Sequence, residues 1–419
     1  MPRSHRGRSL LAVLTVAVLG LTACAPATSV DLEPVAQVDA QLPAEMQEQL
    51  QAAVETAMAA TGSTGAIVEV RAPWAGVWTK AIGTTTAGGP AVTTDMRFKA
   101  GPVTRTMTCD VLYGMAHQGI VQLDDALTDW ISGYPSASGV TLGELCDSSS
   151  GLSNYGGELS SRWYANPERV WHPKELVAYG FSKGFAFEPG TAYRDSDTGY
   201  VLLGLALEQA SRMSAAELFE EYVFEPMGME ASSLPSSSSG SASWLTGQRS
   251  GNDENGDVAC TAPADMTTVS PTAGFTAAGA VTDVTDLSDY IQAVARGARS
   301  YDDDDRFGDP LPVSAKSASW FTYAGGAYQA GTLVGHAGAV PGYLTAAFGD
   351  RETGMSIVVV LNNSRASGTL ARNLAWELAA LASKAPAASG QTAPEAGGLP
   401  WEASTYSAEI VKAAICPLP

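Results

Sequence analysis

Positive charge is scarce in this 419-residue chain: 24 Lys and Arg stand against 44 Asp and Glu, for a formal net charge of −20. A surface that acidic repels a phosphate backbone and excludes nucleic acid as a partner. It also excludes a polybasic patch for anionic lipid. Histidine is rarer still, with four residues, and the five cysteines include no C-x-x-C pair. The spacing of a structural zinc site is missing, so no metal and no cofactor is expected. None of the seven lysines has a serine three residues before it, and there is no G-x-S-x-G. Two common ways of activating a serine are therefore absent.

What is present begins with an export signal. Arg3, Arg6 and Arg8 precede an apolar run from Leu10 to Gly20, which has the length of a signal-peptide core and is too short for a comfortable bilayer span. Leu21-Thr22-Ala23-Cys24 matches a bacterial lipobox. Residues 1–23 thus read as a lipoprotein signal peptide, and 24–42 as a lipidated Cys24 with a flexible tether. A chance cysteine behind an ordinary signal is the alternative. Two or more acyl chains would anchor the exported chain stably to the outer face of the bacterial cytoplasmic membrane, where one would not. Cleavage before Cys24 removes three arginines and no acid, taking the formal charge from −20 to −23. Cys109, Cys146, Cys260 and Cys416 remain. An even number in an oxidising compartment points to disulfides, with three possible connectivities.

Downstream, Met46, Leu50, Val54 and Met58 recur at helical spacing over 43–60, and alternation predicts strands over 65–72 and 77–83. Val103, Met107, Val111, Leu112 and Met115 predict a central helix over 102–117, with Gly119 past its end. Pro102 is well placed in its first turn, where an N–H has no intrahelical partner anyway. Trp163, Tyr164 and Trp171 suggest an aromatic-rich loop. Residues 232–243 and the acidic run 302–305 read as solvated loops. A continuous apolar strand over 355–361 precedes a closing helix over 368–383. A low-complexity linker, 385–400, leads to a tail, 401–419, which folds back if Cys416 is bridged.

Phe98, Gly101, Gly119, Leu123, Asp124 and Asp125 resemble the frame F-R-x-G-S-x-x-K-x-x-T…G-x-L-x-L-D-D of the serine β-lactamase and penicillin-binding protein superfamily, on its class C and D-alanyl-D-alanine carboxypeptidase branch. Thr141 to Leu152 resembles that family's T-L-x-x-L-L-x-H-T-S-G-L, with Ser148 in place of His. Pro189-Gly190 to Gly204 resembles P-G-x-x-x-x-Y-S-N-x-x-Y-x-L-L-G, and Gly335-His336-Ala337-Gly338 with Pro341-Gly342 resembles the H-x-G strand and its G-x-x-P-G turn. The resemblance implies an α/β plus α fold over 43–384: a mainly antiparallel sheet flanked by helices, with an all-helical lobe over about 130–300. It also favours the pairings Cys109–Cys146 and Cys260–Cys416, because the central helix packs near Cys146 and Cys416 closes the tail. His336 is a motif residue on this reading, or else a strand-end histidine retained for packing. His117 and His172 are surface residues. Trp78, Trp163, Trp171 and Trp320 are core or cleft wall.

The family's reactive residues are replaced. Pro102 stands at the nucleophilic Ser, Arg105 at the Lys, Asp195 at the Tyr and Asp197 at the Asn. Proline has neither a hydroxyl nor the backbone N–H that serves the family as an oxyanion donor, and a guanidinium stays protonated. Thr104 and Thr106 flank the site but point elsewhere on a helix. The resemblance puts Arg105 within reach of Asp197 and, less directly, of Asp195, suiting a bidentate ion pair. Two other outcomes are independent drift into solvent and a cation held by Asp195, Asp197 and His336. The expected cleft comprises Arg105, Asp195, Ser196, Asp197, His336, Ala337 and Gly338. The expected function is a monomeric, envelope-anchored binding or regulatory pseudoenzyme. Its partner would be a peptidoglycan-derived or other small-molecule ligand, with membrane contact through Cys24. An active hydrolase with a non-standard site and a purely structural lipoprotein are the alternatives.

Overall fold

The computed structural model describes Met1 and residues 36–237, 243–299, 301, 306–394 and 398–418. The signal segment, Cys24, most of the tether, residues 238–242 of the Ser-rich loop and the acidic run 302–305 lie outside the described residues. No helix among the described residues is long and apolar enough to cross a membrane.

Helix α1, Ala44–Thr61, buries Leu50, Val54, Ala57 and Ala60 and ends on Gly62 in the left-handed conformation. It leads into β1, Gly65–Ala72, and β2, Gly76–Gly83. After a long excursion the sheet resumes with β3, Leu311–Pro312, β4, Phe321–Ala324, and β5, Ala327–Ala330. It is completed by β6, Leu333–Val340, β7, Tyr343–Asp350, and β8, Ser356–Leu361. These strands form one antiparallel sheet in the order β2-β1-β8-β7-β6-β5-β4-β3. Pro312 sits in an edge strand, where its missing N–H breaks no ladder.

The strand β8 reads as an unbroken apolar run because both faces of the sheet are covered. Val358 and Val360, with Ile67 and Ala347, pack against Leu287, Ile291 and Val294 of a helix spanning Val284–Ala295. Ile357, Val359 and Leu361 pack on the other face against α1 and the closing helix Gly368–Ala382. Each such buried side chain contributes about 1.5–3 kcal/mol. The helix over 284–295 falls inside the range expected for the helical lobe, yet it lies on the sheet. Its apolar stripe matches the sheet face, so the lobe's helices end with Phe275–Ala278.

The excursion between β2 and β3 builds the helical lobe around α2, Thr104–His117, every residue of which from Thr104 to Met115 is buried. Alongside runs α3, Asp197–Ser211. In chain order the helix on the sheet, the closing helix and a tail helix Ala403–Lys412 are α4, α5 and α6. Both expected disulfides form: Cys109–Cys146 ties α2 to the segment before Ser148, and Cys260–Cys416 pins the tail. The tail folds back onto α5, where Trp401 Nε1 donates to Trp376 O at 3.0 Å. Part of the segment expected as a linker is docked too, with Trp74 Nε1 donating to Ala385 O at 2.9 Å.

Candidate functional site

The site lies where α2, the start of α3, and β6 converge. Gly101, at φ +57°, lets the chain turn from the short strand Phe98–Lys99 into a tight turn, Gly101–Val103, that feeds α2. Pro102 is buried in that turn with its ring against Gly338 of β6. One helical turn on, Arg105 is 2 % exposed. Its Nη1 pairs with Asp195 Oδ1 and its Nη2 with Asp197 Oδ1, the latter at 2.5 Å. The guanidinium also stands over the Tyr200 ring, 5.1 Å from its centroid.

The expected pairing of Arg105 is present, but not as a bidentate clasp on one carboxylate: the fork is split between two. Independent drift into solvent is overturned, because Arg105 is buried. The two carboxyls differ. Burial pushes both up; Arg105 then pulls Asp195, which is half-exposed (51 %), below its usual range. Asp197, less exposed and facing the Asp195 charge as well, stays above it.

Ser196, expected in the cleft, is a helix cap instead. It is buried, and its Oγ accepts from Gly199 N at 3.3 Å to start α3. The preference of serine for that position explains the correction. Asp197 then occupies the first turn, where the helix dipole favours a negative charge. His336 lines the cleft cavity as expected, although it is almost fully buried. Its Nδ1 accepts from Ala337 N at 2.9 Å and its Nε2 faces Tyr323 Oη at 3.2 Å. Burial, with Arg105 nearby, pushes its pKa down to about 3, so the ring is neutral. A cation shared by Asp195, Asp197 and His336 does not fit those engagements, and no metal-holding group occurs among the described residues.

Beneath Arg105 the hydroxyls of Ser148, Tyr200 and Tyr323 form a chain to His336: Ser148–Tyr200 is 3.0 Å and Tyr200–Tyr323 2.7 Å. Tyr193 and Tyr328 pack their rings against Tyr323, and their own hydroxyls are 3.1 Å apart. Burial pushes all four phenols up, so they remain protonated. Of these four phenols, only Tyr200 falls on a fixed position of the resembled motif, its second Tyr. Tyr323 and Tyr328 face each other across a hairpin closed by Gly325-Gly326, both at positive φ. That Gly-Gly pair between two tyrosines was the available signal.

Ala337 and Gly338 lie along the cleft as expected, in a cavity of about 300 Å³ lined also by Asp195, Asn154, Tyr328 and Arg372. Arg372 of α5, and Lys99 in the adjoining pocket, were not anticipated. Trp163 belongs to a helix, Gly156–Ala165, rather than a loop, and walls that pocket. Trp78 and Trp171 are buried; Trp320 is half-buried beside Trp376 and Trp401. His117 and His172 are exposed.

Neither threonine flanking Pro102 presents a free hydroxyl to the cleft. Thr104 Oγ donates to Gly101 O at 2.7 Å and Thr106 Oγ to Gly326 O at 2.9 Å, both buried. The constellation can hold charge and shape, and the family's nucleophile position is filled by Pro102.

The sequence pattern of the β-lactamase family matches residues 50–381, and the chain belongs to that family. It is 30 % identical to penicillin-binding protein 4* of Bacillus subtilis over 138 residues, 32 % of this chain and 30 % of that protein. It is also 30 % identical to a D-aminopeptidase of Brucella anthropi over 145 residues, 34 % of this chain and 27 % of the other. These matches span about a third or less of the relatives' lengths. Among solved structures, a D-stereospecific amidohydrolase from Streptomyces superposes with a TM-score of 0.66 at 23 % identity, covering 78 % of this chain and 95 % of its own. The octameric penicillin-binding protein homologue of Pyrococcus abyssi gives 0.68 at 21 % identity, covering 81 % and 78 %.

Proposed function

We propose that this chain is a β-lactamase-family protein that has lost acyl-enzyme chemistry and works at the cell envelope as a binding or regulatory protein. One observation carries the reading: Pro102 fills the nucleophile position, one helical turn from an Arg105 committed to two carboxylates. Acyl transfer needs a hydroxyl, a base and two oxyanion donors. Pro102 supplies no hydroxyl and no N–H, and losing one oxyanion donor alone costs about 3 kcal/mol of transition-state stabilisation. Arg105 cannot take a proton.

The envelope location is supported by the basic start, the short apolar run and Cys24. Two disulfides are in keeping with an oxidising compartment. Lipid on Cys24 would hold the chain to the membrane, and Cys24→Ala should move it to the soluble fraction. Its ligand would be a peptidoglycan-derived or other small molecule, a reading that rests on the family resemblance.

The test is intact-mass analysis of the full chain after incubation with a fluorescent penicillin. No adduct is expected. An adduct on the unaltered protein would overturn the reading, and peptide mapping would then locate the true nucleophile.

A further inference from the structure

Two cavities meet on the floor of the cleft, and they differ in chemistry. The larger, about 300 Å³, contains Asp195, Tyr328 and Arg372. The smaller, about 160 Å³, is walled by Tyr155, Trp163, Val340 and Pro341. Asp197 and Ala339 line both. We propose that the cleft takes a small primary monoamine, its ammonium received by Asp195 and its apolar group, up to phenyl size, seated in the smaller cavity.

This rests on the non-covalent reading above and specifies its ligand. At the junction one guanidinium, Arg105, stands between two carboxylates, Asp195 and Asp197, and Arg372 lines the larger cavity as a second cation. Arg105 engages only Oδ1 of Asp195, and the second oxygen has no hydrogen-bond partner among the described residues. The side chain is 51 % exposed, so an incoming donor can reach it. Asp197 is more fully committed, since it meets Arg105 and Asn154. Tyr328, its ring packed against Tyr193, Phe321, Tyr323 and His336, lines the same cavity.

The rest of the ligand follows from the other walls. A carbonyl held for attack would need paired N–H donors, and Pro102 removes one of the family's two. An apolar cavity of about 150 Å³ accommodates benzene, so the smaller pocket has room for a phenyl group. Lys99 does not spoil that pocket: its Nζ already donates to Val269 O at 2.6 Å and Pro341 O at 3.3 Å. Arg372, held over the Phe321 and Trp376 rings and lining the larger cavity, opposes a second cationic group. One ammonium and one compact apolar group satisfy every wall.

Calorimetric titration of the full chain at pH 7 with benzylamine, benzyl alcohol and methylamine separates the two contributions. Benzylamine is expected to bind at least tenfold more tightly than either of the others. Asp195→Asn should weaken benzylamine at least tenfold while leaving benzyl alcohol unchanged, which also reports that the apolar pocket is intact. Asp195→Glu should restore most of the loss. Equal affinity for the amine and the alcohol, full binding by Asp195→Asn, or no binding of benzylamine would each overturn the inference. Benzylamine has no acyl group, so this outcome is independent of the penicillin experiment, which tests the loss of chemistry alone.

Discussion

The ring of Pro102 presses on the Cα of Gly338: a methyl group added to Gly338 would come within 2.2 Å of Pro102 Cγ. Behind Gly338, a methyl on Gly368 would meet its backbone at 2.5 Å. The proline thus fills a slot whose other walls are backbone, and such walls yield little. Gly338→Ala should destabilise the protein by about 1–3 kcal/mol, the usual cost of overpacking. The loss should shrink in a Pro102→Ala background, where two of the three crowding ring atoms are gone. Urea unfolding of the four proteins in that cycle measures it, and additive losses would show that the contact is not tight.

Arg105 is the electrostatic keystone of the same slot. Arg105→Ala leaves Asp195 and Asp197 adjacent without their cation, and because Asp195 is half-exposed the cost should fall below the about 3–5 kcal/mol of a fully buried pair. Neutralising Asp197 with Asp197→Asn in that background should return part of it, with a coupling of about 1–3 kcal/mol between the two positions. A double-mutant cycle by chemical denaturation with no coupling would refute the ion pair as a stabilising element.

The fold was largely legible in the sequence because its elements are long and their periods unambiguous. The spacing of Leu50 and Val54 reports α1, and the unbroken apolar run of β8 reports a sheet covered on both faces. The lobe boundary was not legible, since α4 has the pattern of any amphipathic helix and only packing assigns it to the sheet. At the site, the motif positions gave Pro102, Arg105, Asp195 and Asp197 directly. Ser196 was misassigned because a motif serine and a capping serine look alike in one dimension. Tyr323, Tyr328 and Arg372 come from short strands and a distant helix, so no local pattern links them to α2.

Lys99 gives the site a measurable pH signature. Burial pushes its amine from 10.5 down to about 7, with Asp265 opposing weakly. The sign follows from proton counting. Between pH 7 and 10.5 the unfolded chain holds a proton on Lys99 that the folded chain does not. That contribution to stability is therefore complete above 10.5 and is lost as pH falls towards 7. The melting temperature of the parent should rise relative to that of Lys99→Met across this window, by up to about 1.4 kcal/mol of stability per pH unit. Parallel curves would mean that Lys99 is protonated in the folded protein.

The tail depends on its clasp. Trp376, Trp401 and Trp320 pack with ring centroids 5.0–6.0 Å apart, and Cys260–Cys416 closes a loop of 156 residues behind them. Cys416→Ala should cost about 2–4 kcal/mol and shift tryptophan emission to the red as the stack reaches water. An unchanged spectrum would show that the helix α6 holds the tail without the bond.

Restoring the family's reactive residues tests the proposed loss of chemistry, and the geometry predicts that two changes are not enough. In the variant Pro102→Ser, Arg105→Lys the new lysine would face Asp195 and Asp197, both of which bind Arg105 in the present structure. Two nearby carboxylates favour a protonated amine, so that lysine could not take the serine proton. Adding Asp195→Tyr and Asp197→Asn removes both charges and returns a phenol and an amide to their family positions. The serine would also regain the backbone N–H that proline lacks. Intact-mass analysis with a fluorescent penicillin should find no adduct on the parent or the double variant, and an acyl adduct on the fourfold variant. Labelling of the double variant would mean that Asp195 and Asp197 do not suppress the lysine. Failure of the fourfold variant, if it folds with both disulfides intact, would place the defect in the cleft walls rather than in these four side chains.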